Sequence, residues 1–191
     1  MSADIAVVVG LDPSLTSTGL VTLDQTGKVV CAEVIAPRRR GMAGVERLND
    51  FFLQLAERVA GIPEQSLWVI EGYALGMPRG ASSIADLAEL GGVIRLGLYR
   101  AGMRFVDVPP ARLKKFACGV GNAKKDEVRL QVYKRWGFEH PSNDVVDAYA
   151  LARLGLAMQG HDTGLTAAQR AVVDDLIRAG VEANASHREV S

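Results

Sequence analysis

The chain has 191 residues, 22 basic and 22 acidic, and 48% of it is hydrophobic. That supports one packed core and is short for two, so one domain with an appendage is expected. No apolar run approaches the roughly 20 residues that span a bilayer, and "MSADIAVVVG" carries an acid where a secretory leader would be basic, so a soluble, intracellular protein without a membrane partner is expected. Cys31 and Cys118 lie far apart with no CxxC spacing or neighbouring His. They indicate neither a disulfide framework nor a zinc site, and read as buried, reduced thiols.

Residues 5–12, 17–24 and 28–36 read as three strands, rich in Val, Ile and Thr and broken by "DPSL" and by "DQTGK", with Gly27 at the turn. Such short connections make an antiparallel meander. From Met42 to Val59 the positions Val45, Leu48, Phe51, Phe52, Leu55 and Val59 fall at helical spacing. "SLWVIE" is a short buried strand reached by that helical crossover, hence parallel to its neighbour. A second helix covers Ser82 to Arg100, "MRFVDV" is a strand, and short helices follow at Arg112–Ala117 and Lys125–Trp136. Asn143 to Met158 reads as a core helix. The order βββαβαβαα predicts an α/β chain with a mixed five-stranded sheet, three antiparallel strands then two parallel, flanked by helices. It is the order of a ribonuclease H-like fold. Beyond Gly160, Thr166 as N-cap and Leu165, Val172, Leu176 and Ile177 suggest one more amphipathic helix before a polar tail. Residues 1–160 are thus expected to form the main domain and 161–191 a helical extension.

Four carboxylates break the apolar pattern. Asp12 ends the first strand, and Glu71 ends "SLWVIE" in the same way, so two acids emerge from strand ends that this fold type makes neighbours. Asp144 and Asp147 in "NDVVDAYALA" stand three apart at a helix start and share a face. Acids in a first helical turn are favoured by the helix dipole, so this pair alone says little. The rest of that helix is apolar, however, and has to press on the sheet carrying Asp12 and Glu71. Four acids then converge with no Arg or Lys in their own motifs. Such a group repels itself unless a cation or proton lies within it. Hard oxygen donors without His or Cys suit Mg²⁺ or Mn²⁺. Two such ions, about 4 Å apart, can activate water and stabilise the leaving oxygen of a phosphodiester.

The zero net charge argues against a nucleic-acid partner, but its distribution argues for one. Residues 98–135 hold ten basic side chains against three acidic ones, a candidate phosphate footprint that a solvated helical face would also explain. "PRRRG" at 37–41 is a further basic cluster, readable equally as a loop.

"GLDPSLTSTGLVTLD", "WVIEGY", "GVGNAKKDEV" and "DVVDAYALA" together resemble, in order and spacing, the motifs of the RuvC family of Holliday junction resolvases. The resemblance covers residues 5–158. It implies a crossover junction endodeoxyribonuclease with two Mg²⁺ or Mn²⁺ ions held by Asp12, Glu71, Asp144 and Asp147. Lys114 and Lys125 fall where the family places basic residues near the scissile phosphate, with Lys115 and Lys124 one position away. Tyr73, Arg79, Arg112, Lys114, Lys115, Lys124, Lys125 and Arg129 are the implied DNA contacts. The implied partner is a four-way DNA junction, nicked symmetrically by a homodimer in bacterial or phage-infected cytoplasm. The helix "SSIADLAELGGVIRLGLY" resembles the one at the family's dimer interface, and its Gly91 and Gly92 allow either close approach of a neighbour or packing within the subunit. One departure stands out. Where the family places an aromatic three residues after the second acid, this chain has Ala74, and its aromatic is Tyr73.

Two other classes compete. A phosphotransferase of the actin and sugar-kinase type shares a first hairpin of glycine, acid and hydroxyls, yet needs a second lobe and further glycine-rich motifs that this length does not supply. A non-catalytic junction-binding protein would keep the fold and basic face, but would not need the four acids.

Overall fold

The period of two along a strand sends alternate side chains to opposite faces, and here it builds two cores. In a computed structural model, which describes residues 7–73, 81–162 and 164–188, the strands are β1 (Val7–Asp12), β2 (Thr18–Asp24), β3 (Val29–Ile35), β4 (Leu67–Glu71) and β5 (Arg104–Val108). They form one sheet of order β3-β2-β1-β4-β5, antiparallel from β3 to β1 and parallel from β1 to β5. Val8, Leu67 and Val69 enter one core, and Val9, Leu11, Trp68 and Ile70 the other.

The second of these cores is covered by α1 (Gly44–Val59) and α2 (Ala81–Arg100). The first is covered by α3 (Pro110–Cys118), α4 (Lys125–Trp136), α5 (Asn143–Met158) and α6 (Ala167–Arg188). α5 lies directly on the strands because two residues beneath it have no side chain. A Cβ on Gly10 would stand 1.9 Å from the carbonyl oxygen of Ala148, and one on Gly19 2.0 Å from that of Asp144. Aromatic rings fix α4 to α5: Phe138 stacks on Tyr149 with centroids 4.0 Å apart, and Trp136 meets the edge of Tyr149 at 6.0 Å.

Three expectations change. On α1 the inward stripe is Phe51, Leu55 and Val59, while Val45 is 80% exposed and Phe52 lies at the border of the packed surface. α1 shares its side of the sheet with α2 and so buries a narrower stripe than its apolar residues would allow. Cys31 and Cys118 are free thiols, half-buried rather than buried. The C-terminal helix continues to Arg188, where a polar tail was expected. Its start is fixed by a reciprocal cap in which Gln169 Oε1 accepts the Thr166 N–H at 3.0 Å and Thr166 Oγ1 accepts the Gln169 N–H at 3.3 Å. Val172, Val173 and Leu176 then join the α5-side core, and Ile177 stays exposed. Among the described residues no helix is long and apolar enough to cross a membrane.

Candidate active site

Counting by twos along β1 from Val8 passes Gly10 and reaches Asp12, and along β4 from Leu67 passes Val69 and reaches Glu71. Both acids therefore end on the face that α5 covers. The strands are parallel neighbours with Leu11 paired to Ile70, so the next residues, Asp12 and Glu71, leave the sheet side by side. Asp12 is buried and shares a hydrogen bond with Glu71. The first turns of α5 deliver Asp144 and Asp147 from above, as their spacing predicts. All four acids line one cleft of about 230 Å³, together with Lys114 and Lys125.

Burial, followed by repulsion from Glu71 and then Asp147, raises the Asp12 carboxyl well above the ordinary carboxylate range. Asp147 is pushed up to about 7, first by burial and then by Glu71, with Lys125 opposing the shift. Asp144 accepts a short hydrogen bond from the Ser17 hydroxyl, and the Lys125 ammonium stands 3.9 Å from its other oxygen. As the side chains stand, no three Asp, Glu, His or Cys groups among the described residues close around one point. The chemistry of the donor set nevertheless fits divalent cations: four oxygen-bearing acids share one cleft, and the charge of at least two is disfavoured by the others.

The structure separates the basic residues that sequence spacing left one position apart. Lys114, on α3, and Lys125, the first residue of α4, line the cleft, whereas Lys115 and Lys124 are exposed and do not. Lys124 precedes α4, its backbone N–H donating to Glu127 Oε2 at 2.7 Å. Arg112 is engaged by Asp175 of α6 at 2.7 Å, and Arg129 makes a 3.5 Å hydrogen bond to the carbonyl of Pro141. Ala74 and Arg79 lie outside the described residues.

Tyr73 lines the cleft and is 40% exposed. The Arg95 guanidinium lies 4.4 Å from its ring centre and is itself held by Asp107 at 2.5 Å and by the Gly91 carbonyl at 2.8 Å. Gly91 leaves room for the ring, since a Cβ there would come within 2.7 Å of Tyr73 Cε1. Its neighbour Gly92 faces open space. Ser17 and Arg95 were not singled out by sequence reasoning. Ser17 stands in the turn between β1 and β2, but nothing local marks its partner 127 residues away. Arg95 carries no motif.

Acids at the ends of two adjacent parallel strands, with a helix laid across them, stand on a mixed sheet of ribonuclease H-like architecture. The chain belongs to the RuvC family of crossover junction endodeoxyribonucleases, whose family model matches residues 8–154. It is 29% identical over 171 residues to the crossover junction endodeoxyribonuclease RuvC of Azorhizobium caulinodans, covering 87% of this chain and 96% of that one. Its fold is similar to that of Thermus thermophilus RuvC in complex with a Holliday junction substrate, with a TM-score of 0.63 and 23% identity over 77% of this chain and 90% of the other. It is also similar to the yeast mitochondrial Holliday junction resolvase Ydc2, at a TM-score of 0.54 and 13% identity over 83% and 82% of the two chains.

Proposed function

We propose that this chain is a metal-dependent endonuclease that resolves four-way and other branched DNA by paired, symmetric nicks. The observation that carries the reading is the single cleft in which Asp12, Glu71, Asp144 and Asp147 meet Lys114 and Lys125. Asp12, Glu71, Asp144 and Asp147 would hold two Mg²⁺ or Mn²⁺ ions. Bound there, the ions would supply Lewis-acid charge to the scissile phosphate and lower the pKa of water.

The chain's own residues account for the rest. Lys114 and Lys125 offset the charge that builds on the phosphate during in-line displacement by water. Ser17 and Lys125 fix the orientation of Asp144 through the contacts described above. The cut leaves a 5′-phosphate and a ligatable 3′-hydroxyl. Tyr73, on its Arg95 support, offers an aromatic face at the cleft to an unpaired base, while Lys115, Lys124 and Arg129 contribute outer phosphate contacts. Arg112 contributes only where phosphate displaces Asp175. Residues 1–160 form the nuclease unit, and the extension after it braces α3 through Arg112 and Asp175.

Two nicks related by the junction's two-fold symmetry call for a C2 dimer with one site per subunit. The surface assigned to that contact is α2, whose Leu96 and Tyr99 are 51% and 75% exposed among the described residues. The test is a labelled four-way junction incubated with Mg²⁺ or Mn²⁺, comparing the unaltered chain with Asp12→Asn. Paired symmetric nicks from the former and none from the latter support the reading. Equal cutting by both overturns it. Junction binding with no cleavage under either metal favours the non-catalytic class.

A further inference from the structure

β2 runs antiparallel to both β1 and β3, and β4 and β5 run parallel to β1, so β3, β1, β4 and β5 all end at one edge of the sheet. β1 and β4 end there in Asp12 and Glu71. β5 leads there into α3, which carries Lys114. β3 leads there into Pro37, Arg38, Arg39, Arg40 and Gly41. With neighbouring strands about 4.8 Å apart, the end of β3 lies roughly 10 Å to one side of the end of β1, and the end of β5 a similar distance to the other. The acidic centre thus has a basic flank on each side, the α3 and α4 flank carrying Lys114 and Lys125 and the β3 flank carrying Arg38, Arg39 and Arg40.

The arginine loop is a built feature rather than a loose connection. The buried carboxylate of Asp50 accepts the Arg38 backbone N–H at 2.9 Å and the Gln54 side-chain amide at 3.0 Å, and that amide also donates to the Ala36 carbonyl at 2.9 Å. Two buried polar side chains of α1 therefore hold the backbone on either side of Pro37, in an interior where such groups are costly without partners. Pro37 also shares a small cavity with Ser14 and Leu15 of the turn that carries Ser17, which makes the loop continuous with the active-site rim. Outside this anchor the arginines are exposed. Arg38 is tied to Glu57 at 2.7 Å, Arg39 pairs with Glu46, and Arg40 forms no ion pair among the described residues. Exposed pairs such as Arg39 with Glu46 hold weakly and give way readily to a phosphate.

We propose that Arg39 and Arg40 form a phosphate-backbone contact for the DNA arm that leaves the carboxylate cleft on the β3 side, opposite the arm held by α3 and α4. The proposal rests on the nuclease reading and adds a second DNA-binding flank to it. Its chemistry is that of position rather than sequence: guanidinium groups on a fixed loop neutralise phosphates and read no bases.

The test is binding of a synthetic four-way junction in EDTA across a salt series, with folding checked by circular dichroism. Arg39→Ala combined with Arg40→Ala should make the slope of log affinity against log salt shallower by about 1 to 2, since each lost phosphate contact removes about 0.9. Arg40→Gln alone disturbs no ion pair among the described residues and should remove about 0.9 by itself. Neutral methylphosphonate linkages in one arm should weaken binding by the unaltered chain and have little effect on the double variant. Slopes equal to that of the unaltered chain in both variants would overturn the proposal while leaving the nuclease reading in place. Absence of salt-dependent junction binding by the unaltered chain would sink both together.

Discussion

The hydroxyl of Ser17, in the turn between the first two strands, donates a hydrogen bond to the carboxylate of Asp144, 127 residues further along the chain. It joins the turn after Asp12 to the helix that brings the second pair of acids, and so sets how Asp144 faces the cleft. Ser17→Ala should leave the fold intact, at a cost of about 1 kcal/mol for one partly exposed hydrogen bond. Cleavage should fall several-fold, and half-maximal rate should require more Mg²⁺. A metal titration of single-turnover cleavage checks this; an unchanged midpoint and rate would mean that the contact does not orient Asp144.

Asp12→Asn should abolish cleavage and leave junction binding unchanged or tighter, because on the proposed reading it removes a metal ligand and one negative charge beside phosphate while preserving volume. Glu71→Gln, Asp144→Asn and Asp147→Asn should behave alike. Since the four line one cleft, and the charges of the others raise the carboxyls of Asp12 and Asp147, their losses should not add. Combining two of these substitutions and finding a rate loss equal to the product of the single losses would show that the acids do not act as a unit.

Much of this site can be read from local sequence, and the reason is periodicity. An apolar strand that ends in an acid shows in the pattern itself, and the period of two then assigns Asp12 and Glu71 to one face without coordinates. The three-residue spacing of Asp144 and Asp147 does the same on a helix. The alternatives one position apart, Lys114 or Lys115 and Lys124 or Lys125, were beyond that reading, because the orientation of α3 and α4 is set by packing against α5 and α6 rather than by their own weakly patterned sequences. Ser17 with Asp144, Arg95 with Tyr73 and Arg112 with Asp175 are tertiary pairs, and neither partner carries a local mark of the other. The exposure of Val45 has a similar origin: helical spacing shows which residues share a face, but not how wide a stripe the neighbouring helix leaves to be buried.

The pH dependence of stability follows from Asp147. Its carboxyl titrates at about 7 in the folded chain, against roughly 3.9 when unfolded. Between those values the folded state holds a proton that the unfolded state has released. Stability in EDTA should therefore decline as pH rises from about 4 to about 7, and the raised Asp12 carboxyl adds a decline of the same sign. Asp147→Asn removes the Asp147 part of this slope, so the variant should melt higher than the unaltered chain at pH 8 and at a similar temperature near pH 4. Parallel melting curves across that range would contradict the assignment, and added Mg²⁺ should raise the melting temperature of the unaltered chain at pH 8 more than that of the variant.

Tyr73 depends on Arg95, which holds one face of its ring while anchored to Asp107 and Gly91. Arg95→Ala should free the ring without emptying a core site. A fluorescent base analogue at the junction centre should then lose the quenching produced by stacking, as it should with Tyr73→Ala, whereas Tyr73→Phe should retain it. Identical quenching by the unaltered chain and Tyr73→Ala would show that the ring does not touch a base.

Lys125 and its neighbour Lys124 should separate by the kind of defect each causes. Lys125 lines the cleft with its ammonium 3.9 Å from Asp144, whereas Lys124 points its charge at solvent from the position before the helix. A cation beside the reacting phosphate acts on the charge that develops during displacement, and its removal typically costs about 10² to 10³ in rate where it is a principal stabiliser. Lys125→Ala should therefore lower the single-turnover rate at saturating enzyme while changing affinity only a few-fold. Lys124→Ala should do the opposite, weakening binding in a salt-dependent way by about one phosphate contact and leaving the saturated rate alone. Loss of the Lys125 charge adds a second signature, because Lys125 opposes the upward shift of Asp147: in the Lys125→Ala variant the Asp147 part of the decline of stability should reach to higher pH. An unchanged saturated rate for Lys125→Ala would remove it from the chemistry and leave Lys114 as the lysine of the cleft.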